Sequence, residues 1–220
     1  MTANLSLSVV SLNVGLPRSV RWKNRIVVTG IYKEPIAGPV LARQLNLEGD
    51  RQADLTVHGG PDKAIYAYPA EHYALWQEEL PQTALPWGVF GENLTTQGLT
   101  EEDVFIGERL QVGGAVLMVT QPRQPCYKLS VKFERDDILR RFVQSRRTGW
   151  YFAVLQEGVI TAGDQIVRLG QPTDSLPVAT IADLLFAKTP NMTHLRVAAT
   201  LPTLAQGLRD YFQELLAQHQ

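Results

Sequence analysis

Up to Pro172 the chain seldom sustains an apolar pattern for more than a few residues before Gly, Pro or Asn interrupts it. Runs that short cannot build long helices, whereas alternating or β-branched residues between turn formers suit short strands. Residues 7–14 (LSVVSLNV), 26–32 (IVVTGIY), 39–47 (PVLARQLNL), 92–96 (ENLTT), 150–158 (WYFAVLQEG) and 164–170 (DQIVRLG) fit this pattern. In 108–121 (ERLQVGGAVLMVTQ) two strands meet at Gly113-Gly114, which suits a tight hairpin. Helices are expected at 70–80, introduced by Pro69, and at 136–145, introduced by Asp136. Many short strands with few helices predict a mainly β fold, a closed or strongly bent β-barrel, over residues 1–172.

Beyond Pro172 the texture changes. Residues 178–188, 192–200 and 203–218 carry apolar side chains at helical spacing, with a proline in each connection, and predict a three-helix unit within 173–220. The 220-residue chain is 45% hydrophobic, enough for a substantial core. Its formal net charge of -1 gives no global attraction to nucleic acid or to an anionic membrane. No apolar stretch approaches a membrane span and the N-terminus lacks a signal-peptide pattern, so the expected location is cytoplasmic.

There is one cysteine, Cys126, in QPRQPCYKL (121–129). A disulfide, a C-x-x-C redox pair and a four-cysteine iron–sulfur site are thereby excluded within the chain. Pro122 and Pro125 bias Gln121 and Gln124 toward extended backbone, which places Cys126 on a stiff loop leaving a strand. Arg123, Lys128 and Lys132 surround it without a nearby carboxylate, a setting that favours a thiolate and attracts an anion. A buried cysteine packed as a small hydrophobe is the plain alternative.

Other segments offer polar groups with a structural alternative each. In VHGGPDKAIYAYPAEHY (57–73), His58, two glycines and Lys63 can cradle an anion or simply form a turn. Glu92 and Asn93 in FGENLTTQGL (90–99) need partners if buried, either backbone or ligand. Arg146, Arg147 and Trp150 can clamp a phosphate and stack on a ring, or form a solvated edge. Four histidines and one cysteine at these spacings give no zinc site, and neither G-x-G-x-x-G nor a P-loop occurs.

Taken together, in this order and at these separations, LEGDRQADLTVHGGPDKAIYAYPAEHY, FGENLTTQGL, QPRQPCYKL and GWYFAVLQEG resemble the YiiM-type MOSC-domain family, named for the C-terminal domain of molybdenum cofactor sulfurase. The N-terminal VGLPRSVRWKNRIVVTGIYKEPIAGPV and the helical C-terminus are similar to the same group. The resemblance implies a MOSC-type β-barrel that binds molybdenum cofactor (molybdopterin), with Cys126 as thiolate ligand to the metal. It gives Arg123 and Lys128 a role toward pterin phosphate or oxo groups, and makes His58, Lys63 and Asn93 further cofactor-binding candidates. It also implies a detoxifying oxidoreductase that reduces N-hydroxylated compounds, including N-hydroxylaminopurines, to amines. A separate electron-donating reductase is then required, because no flavin, nicotinamide or iron–sulfur motif is visible. The rival reading is a sulfur carrier: Cys126 accepts a persulfide sulfur from a separate desulfurase, since no pyridoxal phosphate domain is recognisable here.

Overall fold

Strand β6 (Ile65–Pro69) organises the molecule: all five of its residues are buried, and it joins the antiparallel and parallel parts of the main sheet. In the computed structural model, which describes residues 6–54 and 58–219, it pairs with β7 (Leu94–Gln97) in parallel. Parallel neighbours need a crossover, supplied here by helix α1 (Glu71–Glu79). The remaining strands of this sheet are β1 (Ser8–Val14), β4 (Glu34–Pro35), β8 (Arg109–Val112), β9 (Ala115–Pro122), β10 (Trp150–Gln156) and β12 (Ile166–Gly170), in the order β12-β8-β9-β10-β6-β7-β1-β4. The β8–β9 hairpin turns at Gly113-Gly114 as expected, with Gly113 at a φ of 55°. Two small ladders flank the sheet: β2 (Arg18–Trp22) with β3 (Arg25–Thr29), and β5 (Val40–Ala42) with β11 (Gly158–Ile160).

The expected closed barrel is not formed. The sheet is an open ladder with β12 and β4 at its margins. The start of β1 does approach the run into β12, through a bridge between Ser8 and Gln165 and bonds from Val9 N to Asp164 O (2.9 Å) and Ile166 N to Leu7 O (2.8 Å). The far end of β1 is occupied by β4 instead, where Pro35 lies opposite Asn13. A strand shared in this way leaves too short a seam to continue the ladder, and a two-residue edge ending in proline offers little for further pairing.

Two helices follow β9. Helix α2 (Lys128–Phe133) was not foreshadowed by the sequence pattern, and α3 (Ile138–Ser145) lies within the expected range. The three expected C-terminal helices are α4 (Val178–Phe186), α5 (Met192–Thr200) and α6 (Gln206–Ala217). They are not a detached appendage. Ile181, Leu184, Leu195, Leu208 and Phe212 belong to the same buried cluster as Leu117, Val119 and Phe152 of the sheet. Backbone bonds from Val178 N to Val104 O (2.9 Å) and from Ala205 N to Thr120 O (3.3 Å) fix the first and last of these helices to it. Among the described residues no helix is long and apolar enough to cross a membrane.

A second cluster is aromatic. Tyr68, Tyr73, Trp76, Phe90 and Phe142 pack beneath α1 and α3, with Tyr68 and Phe90 stacked at 4.5 Å. Its edge forms one wall of the cavity described next.

Candidate functional site

The cysteine loop begins where β9 ends and stops where α2 begins, so Cys126 is held between two elements on only four linking residues after Pro122 and before Tyr127 caps α2. Leu129 N donates to the Cys126 carbonyl at 2.9 Å, which pins the loop to the first turn of α2. Cys126 is partly exposed and lines a cavity with Arg123, Lys128, His58, Lys63 and Asn93. The six residues to which the family resemblance gives a site role therefore line one cavity, although they come from three separate segments. Thr120 helps bring them together: its hydroxyl donates to Asp62 O at 2.6 Å and lies 3.1 Å from Tyr151 O, which holds the Gly59–Lys63 turn against β9.

Arg123 is the unusual member. It is 5% exposed, and its Nη1 donates to Phe90 O (2.6 Å) and contacts the Tyr66 hydroxyl (3.4 Å). Its guanidinium lies 4.8 Å from the Tyr66 ring centre and 5.4 Å from that of Phe142. No carboxylate pairs with it among the described residues. A buried charge without a counter-ion is costly unless something bound supplies one. Tyr66 and Tyr151 do not, because burial pushes both phenols upward in pKa and keeps them neutral.

His58 sits in the same field. Burial, followed by the charges of Lys128, Arg123 and Lys63, holds its imidazole below the ordinary value, so the ring is neutral at physiological pH. Its Nδ1 is buried without a hydrogen-bond partner among the described residues. Such an atom at a cavity wall is suited to a ligand. Among the described residues no group of His, Cys, Asp and Glu could hold a metal ion by itself, so any metal here must bring other ligands with it.

Asn93 is differently employed. Its Oδ1 accepts from Tyr66 N (3.1 Å), and its Nδ2 donates to Asn13 O (3.3 Å) and Asp50 Oδ2 (3.0 Å). With the carboxamide spent on protein, its place in the cavity wall is to fix β6, β7 and β1 relative to one another. Asp50 completes the arrangement by accepting from Gly15 N (2.9 Å) and from the ammonium of Lys33, which also lines the cavity. Neither Lys33 nor Asp50 carries a local signal in the sequence, since their partnership is made only by the fold. Glu92 is likewise internal, accepting from the Tyr73 hydroxyl and from Gly88 N (2.7 Å).

The RRTGWY segment does not reach the cavity. Arg146 pairs with Asp183 (2.9 Å), Arg147 with Glu79 (2.9 Å), and Trp150 is fully buried in the sheet core. Tyr66 and Tyr151, which do line the cavity, lie inside segments already noted as motifs, but strand periodicity conceals which of their residues face a ligand.

The half-open space beside Cys126 has a volume of about 90 Å³. Next to it lies a groove of about 550 Å³ bounded by the Gly59–Lys63 turn, Gln121 and the C-terminal helices. The two share Gly59, Lys63 and Gln124.

The chain is similar to known proteins over most of its length. The MOSC domain model matches residues 54–167, and the YiiM-like 3-alpha helix domain model matches 176–219. The chain is 40% identical to protein YflK of Bacillus subtilis (strain 168) over 94% of its own length and 93% of that protein. It is 39% identical to Protein YiiM of Escherichia coli (strain K12), over 66% of each chain. A protein named reductase from Gibberella moniliformis (strain M3125 / FGSC 7600) is 33% identical over 80% of this chain, which spans 32% of that longer protein. The crystal structure of YiiM from Geobacillus stearothermophilus superposes with a TM-score of 0.81 at 37% identity, covering 96% of this chain and 99% of the other. The chain belongs to the MOSC-domain family and, with its three-helix C-terminus, to the YiiM-like members of it.

Proposed function

We propose that this protein binds molybdenum cofactor through Cys126 and reduces N-hydroxylated compounds to amines. The observation that carries the proposal is Arg123: a buried guanidinium without a carboxylate, in the wall of the cavity that holds the chain's one cysteine. The residues present suit the cofactor. Thiolate is a soft donor appropriate to molybdenum, and the dithiolene would bring the remaining metal ligands. Arg123 and Lys128 would neutralise oxo or phosphate groups, and the orphaned Nδ1 of His58 would supply one hydrogen bond. Asn93, Asp50 and Lys33 act as positioning residues behind that wall.

When bound, the cofactor would supply a two-electron, oxygen-accepting centre. The overall reaction, R–NHOH + 2 H⁺ + 2 e⁻ → R–NH₂ + H₂O, breaks the N–O bond and forms water, with electrons from a separate reductase. What this chain contributes is orientation of the substrate, exclusion of bulk water by the aromatic wall, and positive charge that stabilises the departing oxygen. The relative named a reductase supports a redox role.

The test is turnover of an N-hydroxylated base by the protein made in a molybdate-replete host and supplied with a chemical reductant. Cys126→Ser should abolish turnover while leaving the unfolding midpoint of the cofactor-free chain unchanged within error, because the residue lies on a partly exposed loop. Full activity in that variant removes Cys126 from the site. A persulfide on Cys126 in protein that carries no molybdenum would favour sulfur carriage instead.

A further inference from the structure

Strands β2 and β3 form a two-stranded ladder that joins no other strand among the described residues. Its pairing, Arg18 with Thr29, Val20 with Val27 and Trp22 with Arg25, puts the buried Val27 and Thr29 on the face turned to the protein. The alternate residues, Ser19, Arg21, Ile26 and Val28, then share the outer face. All four are exposed, Ile26 at 69% and Val28 at 53%. Two adjacent β-branched side chains bare on a ladder with open edges make a surface that proteins ordinarily cover or use.

The charge of the same hairpin is one-sided. Residues 18–32 carry Arg18, Arg21, Lys23 and Arg25 and no carboxylate, in a chain whose formal net charge is -1. Arg18 and Lys23 meet Glu34 (3.8 Å) and Asp136 (2.7 Å), both largely exposed, and such pairs are screened and contribute little. Arg21 and Arg25 have no carboxylate partner among the described residues. A cationic rim around a small apolar centre suits a partner with an acidic surface, since opposite potentials steer the encounter and set its orientation.

Position supplies the reason for such an encounter. Strand β3 ends in Thr29, and Thr29, Gly30 and Ile31 line the Cys126 cavity. On the other side of the hairpin, the Arg25 guanidinium lies 5.4 Å from the ring centre of Tyr127, the exposed residue that follows Cys126. A protein seated on the hairpin therefore reaches the neighbour of the cysteine without entering the cavity.

We propose that the outer face of the β2–β3 hairpin is the landing surface for an acidic redox protein that delivers electrons to the cofactor held at Cys126. This rests on the reductase reading, which needs two electrons from outside the chain for each N–O bond broken. Two one-electron donors in succession supply them, each leaving oxidised by one electron, while the two protons come from water. A surface this small fits that exchange, because electron-transfer encounters are weak and bury less than roughly 1,200 Å².

The experiment uses flavodoxin, a small acidic flavin protein, as the probe. Its binding to the full chain is followed by NMR titration at low and at high salt. Turnover of an N-hydroxylated base is measured in parallel with flavodoxin hydroquinone or with dithionite, which is small enough to need no docking surface. Arg21→Glu should weaken flavodoxin binding about threefold to tenfold at low salt, less at high salt, and slow flavodoxin-driven turnover in step. Ile26→Thr keeps strand propensity and removes apolar surface, and should weaken binding about twofold to fivefold at both salt concentrations. Neither should alter dithionite-driven turnover, molybdenum content or the unfolding midpoint, since both side chains are exposed. Arg196→Glu makes the same charge change on an exposed position of α5 and should bind flavodoxin like the wild type. Equal binding by Arg21→Glu, Ile26→Thr and wild type, an equal loss in Arg196→Glu, or no binding by the wild type overturns the proposal. So does binding of an oligonucleotide or of anionic lipid vesicles through Arg21 in place of flavodoxin. Flavodoxin binding that depends on Arg21 and Ile26, while dithionite drives no turnover, keeps the surface and removes the reductase reading.

Discussion

The cavity at Cys126 and the groove under α6 share a wall but are built on opposite principles. In the cavity, Arg123, Lys128, Lys63 and Lys33 converge, and a buried network of Lys33, Asp50 and Asn93 makes its back wall rigid. In the groove, aromatic and aliphatic side chains of the C-terminal helices dominate, and the single cation has a carboxylate beside it. A site dense in buried charge selects an anionic ligand and is expensive to maintain; a neutral, half-open one selects by shape and ring contact. Mutations should therefore cost the fold more on the charged side of the wall than on the neutral one.

The largest expected effect lies in the cavity's back wall. Asp50→Ala removes the partner of a Lys33 ammonium that is 7% exposed, and also frees Gly15 N and the Asn93 amide. Leaving a buried charge unpaired costs about 3–5 kcal/mol, to be read as a lower urea midpoint at unchanged slope. A loss below about 1 kcal/mol would mean that Lys33 escapes to solvent and that the wall is soft.

Next comes Arg123. Arg123→Met leaves the Phe90 carbonyl without its donor, a cost of about 1–3 kcal/mol, and should reduce molybdenum and pterin per chain much more than Arg140→Met, since Arg140 is an exposed residue of α3. Equal retention in both would return the anion-binding role to Lys63 and Lys128.

These first two predictions rest on very different amounts of sequence information. The position of Arg123 near Cys126 follows from adjacency and two prolines, and the GG hairpin and the three C-terminal helices follow from local pattern. Asp50 has no such signature: it is 17 residues from Lys33 and 43 from Asn93, and nothing local links them. Strand β6 was hidden for another reason, because a strand buried on both faces does not alternate, and Pro69 at its end resembles a helix start. The six residues of α2 include Val and Phe and are too short to show a helical period. Whether the sheet closes depended on which residues pair with the end of β1, a contact that no periodicity reports.

A smaller, pH-dependent effect should separate the two regions further. Burial and three neighbouring cations hold His58 below its ordinary value, so the unfolded chain takes up a proton there before the folded protein does. The contribution of His58 to stability is then present above about pH 6.5 and is lost as pH falls through its folded value. Melting temperature should drop more between about pH 7 and about pH 5 for the wild type than for His58→Gln. Parallel curves would show that the imidazole is freely solvated.

The smallest effect belongs to the ion pair that links the segment after α3 to the helical unit. Arg146→Ala breaks the contact with Asp183, whose side chain is 66% exposed, and should cost about 0–1 kcal/mol with no change in metal content. A larger loss would indicate that this contact, and not the shared apolar core, seats α4 on the sheet.

The most direct measurement is molybdenum and pterin content of freshly purified wild-type protein and Cys126→Ser, both made in a molybdate-replete host. The predicted result is stoichiometric metal and pterin in the wild type, and loss of molybdenum from a Cys126→Ser chain that still unfolds cooperatively, at the midpoint of cofactor-free wild type. Wild-type protein free of molybdenum, or a Cys126→Ser protein that retains it in full, would contradict the account.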